Sequence, residues 1–170
     1  ELIYNASKII LPGVGAFDAA VSRLRDTGLA DVLNDCVQHK RVPILGICLG
    51  MQLMTKRSAE GNLPGLGWID AETVSFRATT ALRVPHMGWN IASPAKPSRL
   101  LHGSTGENRF YFVHSFFVRC SDPEDVLMTC DYGVSFDAAF ERANLLGVQF
   151  HPEKSHRYGL RFLANFVENY

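Results

Sequence analysis

Gly46-Ile47-Cys48-Leu49-Gly50-Met51-Gln52 is the stretch that decides the fold of this 170-residue chain. The apolar run Val42-Pro43-Ile44-Leu45 precedes it and predicts a short buried strand. Residues 49–56 follow with the apolar spacing of a helix. Cys48 is therefore predicted to lie in a strand-to-helix turn, where a glycine two residues away on either side permits a tight backbone approach. This is the nucleophile-elbow pattern, with cysteine in place of serine.

A cysteine at such a turn has two interpretations. A small buried thiol that packs in the core is the commoner state of a free cysteine. The positive end of the following helix would instead favour the thiolate of Cys48. Glycine on both sides of the residue, at this particular junction, favours the interpretation as a nucleophile.

Composition and charge exclude several classes of function. Seventeen basic residues balance seventeen acidic ones, so the chain lacks the electrostatic footprint of a protein that binds nucleic acid or an anionic membrane. No apolar stretch approaches the length of a membrane span. The four cysteines, 36, 48, 120 and 130, have no metal-type spacing and predict reduced thiols in a cytoplasmic protein. Neither a metal nor a cofactor is expected.

The order of the elements predicts an α/β fold. A strand at residues 8–11, helices at 17–25 and 29–40, the elbow strand and its helix follow one another, an order typical of a parallel sheet. After Gly67 the pattern changes to short strand-like pieces, including Trp68-Ile69 and residues 82–84, which predict an antiparallel, hairpin-like region. A last helix is predicted at about 159–168. Because no repeat or linker divides the chain, residues 1–170 are expected to form one domain.

A base for the thiol is predicted in Gly147-Val148-Gln149-Phe150-His151-Pro152-Glu153-Lys154. His151 would stand at the end of a buried strand, where the active-site residues of α/β sheets gather. Residues i and i+2 of an extended segment project to the same side, so Glu153 can orient the His151 imidazole. A surface turn is the alternative for an isolated His-Pro-Glu. Together with the elbow, however, the motif predicts a Cys48–His151–Glu153 triad.

Acyl transfer at Cys48 also needs donors for an oxyanion. One predicted donor is the backbone N–H of Leu49, directly after the nucleophile. The other is the loop that contains Gly13, Val14 and Gly15, since its glycines allow backbone N–H groups to turn toward a ligand. A plain βα turn is the alternative interpretation of this loop, which lacks the third glycine of a dinucleotide-binding motif.

These motifs resemble the class I, or triad, glutamine amidotransferases, and most closely the glutaminase subunits of imidazole glycerol phosphate synthases. The resemblance rests on the elbow and the His-Pro-Glu motif. It also rests on the stretches Leu11-Pro12-Gly13-Val14-Gly15-Ala16-Phe17, His86-Met87-Gly88-Trp89-Asn90 and Tyr111-Phe112-Val113-His114-Ser115. It implies a three-layer, flavodoxin-like fold with a mostly parallel central sheet, helices on both faces and an antiparallel hairpin region. Compared with the family pattern, an N-terminal strand, a helix and a second strand are missing before residue 8.

The resemblance also implies substrate, partner and further site residues. Glutamine would be hydrolysed at Cys48, and ammonia would pass to a (β/α)₈-barrel cyclase subunit in a heterodimer. By the same resemblance, Trp89 and Lys154 would lie on that interface. The α-amino-acid end of glutamine would be bound by residues on two segments, namely Gln52, His114, Ser115 and Phe116.

Three alternatives remain open from the sequence. The chain could serve another class I amidotransferase, of the anthranilate or aminodeoxychorismate type, although these relatives lack the Met-Gly-Trp-Asn block. It could be a thiol hydrolase that acts on γ-glutamyl peptides without a partner. It could also be a truncated, inactive chain or a binding module that keeps the motifs.

Overall fold

The computed structural model describes residues 2–77 and 82–170. Four α-helices are formed within these ranges: α1 (Phe17–Asp26), α2 (Leu29–Asn34), α3 (Leu49–Leu53) and α4 (His156–Asn169). The strands are β1 (Ile9–Gly13), β2 (Ile44–Cys48), β3 (Arg57–Ser58), β4 (Ala71–Ser75), β5 (His86–Pro94), β6 (Arg109–His114), β7 (Phe116–Cys120), β8 (Val126–Asp131), β9 (Ser135–Arg142) and β10 (Leu145–Val148). None of the helices in the described ranges is long and apolar enough to cross a membrane.

The strands join in one mixed sheet with two distinct parts. β1 and β10 flank β2, and both pair with it in parallel, so that Gly13 lies opposite Cys48. Beyond β10 the pairing becomes antiparallel through β9 to β7, β4 and β8, and β8 continues to β5 and β6. Because β1, β2 and β10 run in the same direction, their carboxyl ends meet at one edge of the sheet.

Helices cover both faces of the parallel part, as the three-layer fold requires. Alternation along a strand places successive side chains on opposite faces. Ile44 therefore packs in the core layer that contains α1, α2 and α3. Leu45 and Ile47 pack in the second layer, which contains Phe162 and Phe166 of α4. The two layers enclose β2, all of whose residues are buried.

Close backbone packing explains the glycines of the elbow. A Cβ added to Gly50 would lie 1.7 Å from the carbonyl oxygen of Leu11, and one added to Gly46 would lie 2.8 Å from the carbonyl group of Gly50. α3 therefore touches β1 and β2 through bare backbone. This packing holds the turn at Cys48 in one position relative to the neighbouring strand.

The structure differs from the sequence prediction in several elements. The sheet is mixed, with a smaller parallel part than predicted, and neither Trp68-Ile69 nor residues 82–84 form a strand. The N–H groups of Trp68 and Ile69 both donate to the carbonyl of Met54, just beyond the end of α3. These apolar side chains therefore reach the core from a loop that closes a helix, and periodicity alone does not distinguish this case from a buried strand.

Candidate active site

Cys48 occupies a strained backbone conformation between β2 and α3. Its φ is 54° and its ψ is −112°, values that L-residues rarely adopt. Such conformations cost about 1–3 kcal/mol and are concentrated at functional sites. The residue is 9% exposed, and the amide of Gln149 donates to its sulfur over 3.7 Å. The strain is evidence for a functional thiol that is independent of the sequence motif.

Burial keeps Cys48 a thiol in this state. It raises the pKa of Cys48 to about 11, and the negative charge of Glu153 acts in the same direction. The Leu49 N–H, the Gln149 amide and the charge of Lys154 lower the pKa, but by less. The start of α3 does favour the thiolate of Cys48, as expected, through the Leu49 N–H, but α3 is only five residues long and burial is the larger effect on the pKa.

His151 and Glu153 form the pair that their spacing predicts. His151 follows the carboxyl end of β10, and Nδ1 of its imidazole lies 2.7 Å from Oε1 of Glu153. The His151 side chain is 6% exposed, and Glu153 is half exposed. Within the described residues, Nε2 of His151 is buried and has no hydrogen-bond partner. A carboxylate on one nitrogen and a buried open position on the other are what a general base requires.

A cavity of about 400 Å³ brings the predicted residues together. Lys154, from the predicted interface, lines this cavity. So do most of the residues predicted for catalysis, the oxyanion and substrate binding: Val14, Gly15, Cys48, Leu49, Gln52, His114, Ser115, Phe116 and His151. Gly13 does not line this cavity. Its position is set by packing, since a Cβ there would lie 3.0 Å from both the backbone nitrogen of Gly50 and Cβ of Leu49.

The loop after β1 borders the cavity with two exposed residues, Val14 and Gly15. Val14 is 83% exposed, and Gly15 has a φ of 98°, in the region that favours glycine. The loop follows β1, the strand that pairs with β2, and this pairing brings the loop to the cavity. The Leu49 N–H lies close enough to the sulfur to lower the pKa of Cys48, and Leu49 lines the same cavity.

Gln52 is held by two hydrogen bonds from its amide nitrogen. Nε2 donates to the backbone oxygen of Phe116 at 3.2 Å and to Oε1 of Gln149 at 3.0 Å. The side chain is 4% exposed, so these bonds set its orientation where it borders the cavity. The Ser115 carbonyl accepts from the N–H of Phe76 at 3.1 Å, which fixes the other wall.

The structure adds two residues that the sequence analysis did not assign to the site. Gln149 joins Cys48 to Gln52 and is fully buried, and a polar residue among apolar strand residues is a signal that could have identified it. Glu60 lines the cavity, and its carboxylate accepts from the N–H of Phe17 at the start of α1. Glu60 comes from a loop remote from every motif, and no local pattern predicts it.

The two residues predicted for a partner interface are both exposed. Trp89 on β5 is 43% exposed, and its ring stacks on His156 with the centroids 5.4 Å apart. Met87 and Ile91, which face the same way, are also exposed. Lys154 is exposed at the cavity rim. This apolar stripe and charged residue are accessible to a partner, although tryptophan is more often a core residue.

Comparison with known proteins identifies the family. The sequence model of the family "Glutamine amidotransferase class-I" matches residues 3–170. The chain belongs to this family, and it is therefore a glutamine amidotransferase. The α/β fold and enzyme class predicted from the sequence are confirmed.

The similar curated proteins define a narrower group. The chain is 52% identical over 168 residues to the imidazole glycerol phosphate synthase subunit HisH 2 of Pseudomonas aeruginosa, and the match covers 99% of this chain and 83% of that protein. It is 47% identical to HisH 2 of Methanococcus maripaludis, with the same coverage of both chains. HisH of Bdellovibrio bacteriovorus is 49% identical over 96% of this chain and 82% of its own length. Within the class-I family, the chain thus belongs with the HisH subunits, as predicted.

Solved structures of lower identity agree on the fold. A crystal structure described as a glutamine amidotransferase superposes with a TM-score of 0.69 at 19% identity, over 95% of this chain and 79% of that one. The glutaminase domain of CTPS from Trypanosoma brucei gives a TM-score of 0.64 at 15% identity, over 98% of this chain and 73% of that one. At these identities the likeness concerns the fold alone.

Proposed function

We propose that this chain is the glutaminase subunit of an imidazole glycerol phosphate synthase, acting in histidine biosynthesis through a Cys48–His151–Glu153 triad. One observation carries the proposal: the strained Cys48 shares a cavity with a buried His151 nitrogen that has no partner among the described residues. The names and identities of the relatives support the choice of synthase.

Catalysis begins with transfer of the Cys48 proton. Because the thiol has a pKa of about 11, the sulfur becomes nucleophilic only as Nε2 of His151 takes its proton. The sulfur attacks the side-chain amide carbon of glutamine, and His151 returns the proton to the departing nitrogen, which leaves as ammonia. His151 then activates a water molecule, which hydrolyses the γ-glutamyl thioester to glutamate and regenerates the thiol. Glu153 keeps Nδ1 of the imidazole protonated and oriented.

The oxyanion that forms in each step needs donors near the sulfur. The Leu49 N–H is one of them, since it lies close enough to the sulfur to lower the pKa of Cys48. The second comes from the loop Gly13–Val14–Gly15, whose backbone N–H groups can turn toward the cavity because glycine accepts either orientation at little steric cost. This loop also provides a natural point at which a partner could control turnover.

The α-amino-acid end of glutamine is assigned to the opposite wall of the cavity. Gln52 and the backbone of His114, Ser115 and Phe116 supply its polar contacts. The structure adds the carboxylate of Glu60, whose charge complements an α-ammonium group.

Ammonia release by itself would be unproductive, so a synthase partner completes the proposal. We assign a (β/α)₈ cyclase subunit to the exposed face that carries Trp89 and Lys154. The proposal further includes a single domain over residues 1–170, supported by one sheet that joins all ten described strands. It also includes a cytoplasmic location, supported by four cysteines that are all free thiols.

Ammonia channelling provides the test. The chain is mixed with its cyclase subunit, and synthase turnover is measured with glutamine and then with ammonium salt. Cys48→Ala should reduce the glutamine-dependent rate about 10⁴-fold, while the ammonia-dependent rate, which belongs to the cyclase, persists. Equal glutamine-dependent rates for Cys48→Ala and the parent chain would overturn the triad.

Copurification separates the remaining alternatives. A cyclase barrel recovered with the tagged chain supports the proposal, whereas a synthase that uses chorismate would place the chain in the anthranilate group. Rapid partner-free hydrolysis of γ-glutamyl peptides would instead identify an independent thiol hydrolase. A folded chain that is inactive with its cyclase present would indicate a binding module.

A further inference from the structure

Two histidines outside the triad face each other across the hairpin beside the cavity. His86 on β5 and His114 on β6 are cross-strand neighbours, and Nδ1 of His86 lies 2.9 Å from Nε2 of His114. His86 is only 2% exposed, and His114 only 6%. The ring of His86 stacks on Tyr132 at a centroid distance of 4.0 Å and on Phe112 at 4.8 Å. A buried polar pair within aromatic packing needs a reason beyond packing, because apolar residues would fill the same space.

Burial keeps both rings neutral. It lowers the pKa of His86 to about 4 and that of His114 to about 3. A neutral imidazole has one donor nitrogen and one acceptor nitrogen. The tautomer of each ring therefore follows from its partners.

The hydrogen-bond partners at the two ends of the pair require one consistent set of tautomers. Nδ1 of His114 lies 2.8 Å from the carbonyl oxygen of Phe116, which can only accept, so this nitrogen carries the proton. Nε2 of His114 must then accept from Nδ1–H of His86. Nε2 of His86 in turn accepts from the amide nitrogen of Asn90 at 3.3 Å.

The orientation of the Asn90 amide is set independently. Its nitrogen donates to the carbonyl oxygen of Asp131 at 3.0 Å, and its oxygen accepts from the N–H of Ile91 at 2.8 Å. The amide nitrogen therefore points to His86 for reasons unrelated to the histidines. All three side-chain bonds run in one direction, from Asn90 through His86 and His114 to Phe116.

This chain of bonds ends at a group that also holds Gln52. The Phe116 carbonyl accepts from Nδ1–H of His114 and from Nε2 of Gln52. Gln52 continues to Gln149, which donates to the Cys48 sulfur. A change in the position of the Phe116 carbonyl would thus change the orientation of the cavity wall and of the amide groups beside the nucleophile.

We propose that Asn90, His86 and His114 form a directed hydrogen-bond relay that positions the Phe116 carbonyl and Gln52 for glutamine binding. His86 and Asn90 are positioning residues, since they act through His114 and do not line the cavity. The relay starts on β5, one residue from the exposed Trp89, and ends at the substrate pocket. The kinetic part of the proposal depends on the proposed glutaminase function, whereas the tautomers do not.

Nitrogen NMR tests the relay without reference to activity. The intact chain is labelled with ¹⁵N-histidine, and the imidazole nitrogens are assigned with the help of His86→Phe and His114→Phe. The relay requires the Nδ1–H tautomer for both rings at pH 7. An Nε2–H tautomer at either ring, or a ring that is charged at pH 7, would overturn the proposal, whether or not the protein hydrolyses glutamine.

Steady-state kinetics of the complex with its cyclase subunit tests the role in positioning. His86→Phe keeps an aromatic ring against Tyr132 and Phe112 but removes both bonds, and it should raise the KM for glutamine about tenfold with a smaller change in kcat. His86→Asn places an amide donor near the former Nδ1, so it should restore much of the KM. A KM unchanged in His86→Phe contradicts the relay.

Tyr132→Leu provides the packing control. This substitution loosens the contact on the His86 ring without removing any bond of the relay. It should lower the unfolding midpoint while the KM for glutamine stays within about twofold of the parent value. If Tyr132→Leu and His86→Phe raise KM equally, the pair acts through packing only and the relay is wrong. Loss of glutamine hydrolysis in the parent complex would refute the proposed function and leave the tautomer test intact.

Discussion

The two halves of the sheet position their functional residues by different physical means. In the elbow half, formed by β1, β2, β10 and α3, backbone packs directly on backbone, and a Cβ on Gly50 would overlap the Leu11 carbonyl oxygen. In the hairpin half, formed by β5, β6 and β8, aromatic side chains surround the buried polar pair of His86 and His114. Cys48, the proposed nucleophile, lies in the elbow half, where the packing leaves almost no room for added atoms.

This difference indicates a division of roles. The proposed chemistry at Cys48 uses a strained backbone, and only rigid surrounding structure maintains such strain. Substrate positioning requires oriented donors and acceptors, and a fully satisfied buried network supplies them. Substitutions in the elbow half should therefore alter stability or turnover, whereas substitutions in the hairpin half should act on substrate binding and on the response to acid.

Gly50→Ala should have the largest effect on the fold. The new methyl group would lie 1.7 Å from the Leu11 carbonyl oxygen, so α3 must move away from β1. We expect a loss of about 3 kcal/mol or more in the free energy of unfolding, measured by urea denaturation. Gly15→Ala is the matched control: nothing lies within 4 Å of its Cβ position, and its φ of 98° alone should cost about 1 kcal/mol. Equal losses for the two variants would contradict the packing argument.

Glu153→Gln should reduce turnover about 100-fold, because the amide no longer stabilises the charged imidazole of His151. The same substitution removes a negative charge that raises the pKa of Cys48. We therefore expect the thiol to titrate at a lower pH in the variant, which is measured as the pH dependence of Cys48 alkylation by iodoacetamide.

Glu168→Gln, on the exposed end of α4, is the control for Glu153→Gln and should change neither measurement. Faster alkylation together with slower turnover would separate the electrostatic effect of Glu153 from its role in orienting His151. A higher titration pH of Cys48 in Glu153→Gln would contradict this assignment.

Cys48→Gly should be more stable than Cys48→Ala. Alanine retains the strain of a φ of 54°, whereas glycine accepts this conformation. We expect a difference of about 1–2 kcal/mol in the free energy of unfolding, with both variants inactive. If Cys48→Ala proves as stable as Cys48→Gly, the elbow stores no strain.

Acid should destabilise the hairpin half through its histidines. The pKa values of His86 and His114 are about 4 and 3 in the folded chain, below the value of about 6.5 in the unfolded chain. The unfolded state therefore binds more protons between pH 6.5 and 4, and the free energy of unfolding falls with falling pH in this window. At pH 6.5 the unfolded-state histidines are still half protonated, and their contribution to the pH dependence fades only above about pH 7.5.

His86→Phe tests this dependence. Each histidine changes the free energy of unfolding by at most about 1.4 kcal/mol per pH unit. Between pH 6 and pH 5, the variant should therefore lose about 1 kcal/mol less of its free energy of unfolding than the parent chain does. Urea denaturation of both proteins at pH 7, 6 and 5 measures the difference. An identical acid response of the two proteins would show that His86 is not held neutral.

Local motifs predicted local geometry better than they predicted the order of the strands. The strand-to-helix turn at Cys48 and the contact between His151 and Glu153 both depend on residues at most four positions apart. The aromatic and apolar pieces after Gly67 were harder to interpret, because Trp68 and Ile69 fill the core from a loop instead of a strand. An apolar residue in the sequence predicts that its side chain is buried, but it does not predict whether a strand, a helix or a loop carries that side chain.

The sequence by itself determined the strand-to-helix turn at Cys48, the spacing of His151 and Glu153, and the family. Glycine tolerance and strand alternation act over a few residues, so their pattern is visible in the order of amino acids. Only the tertiary structure decided that Cys48 is a buried thiol, that Gln149 contacts it from 101 residues away, and that His86 donates a hydrogen bond to His114. Burial and hydrogen-bond direction depend on residues that the fold brings together across long separations, and no local pattern encodes them.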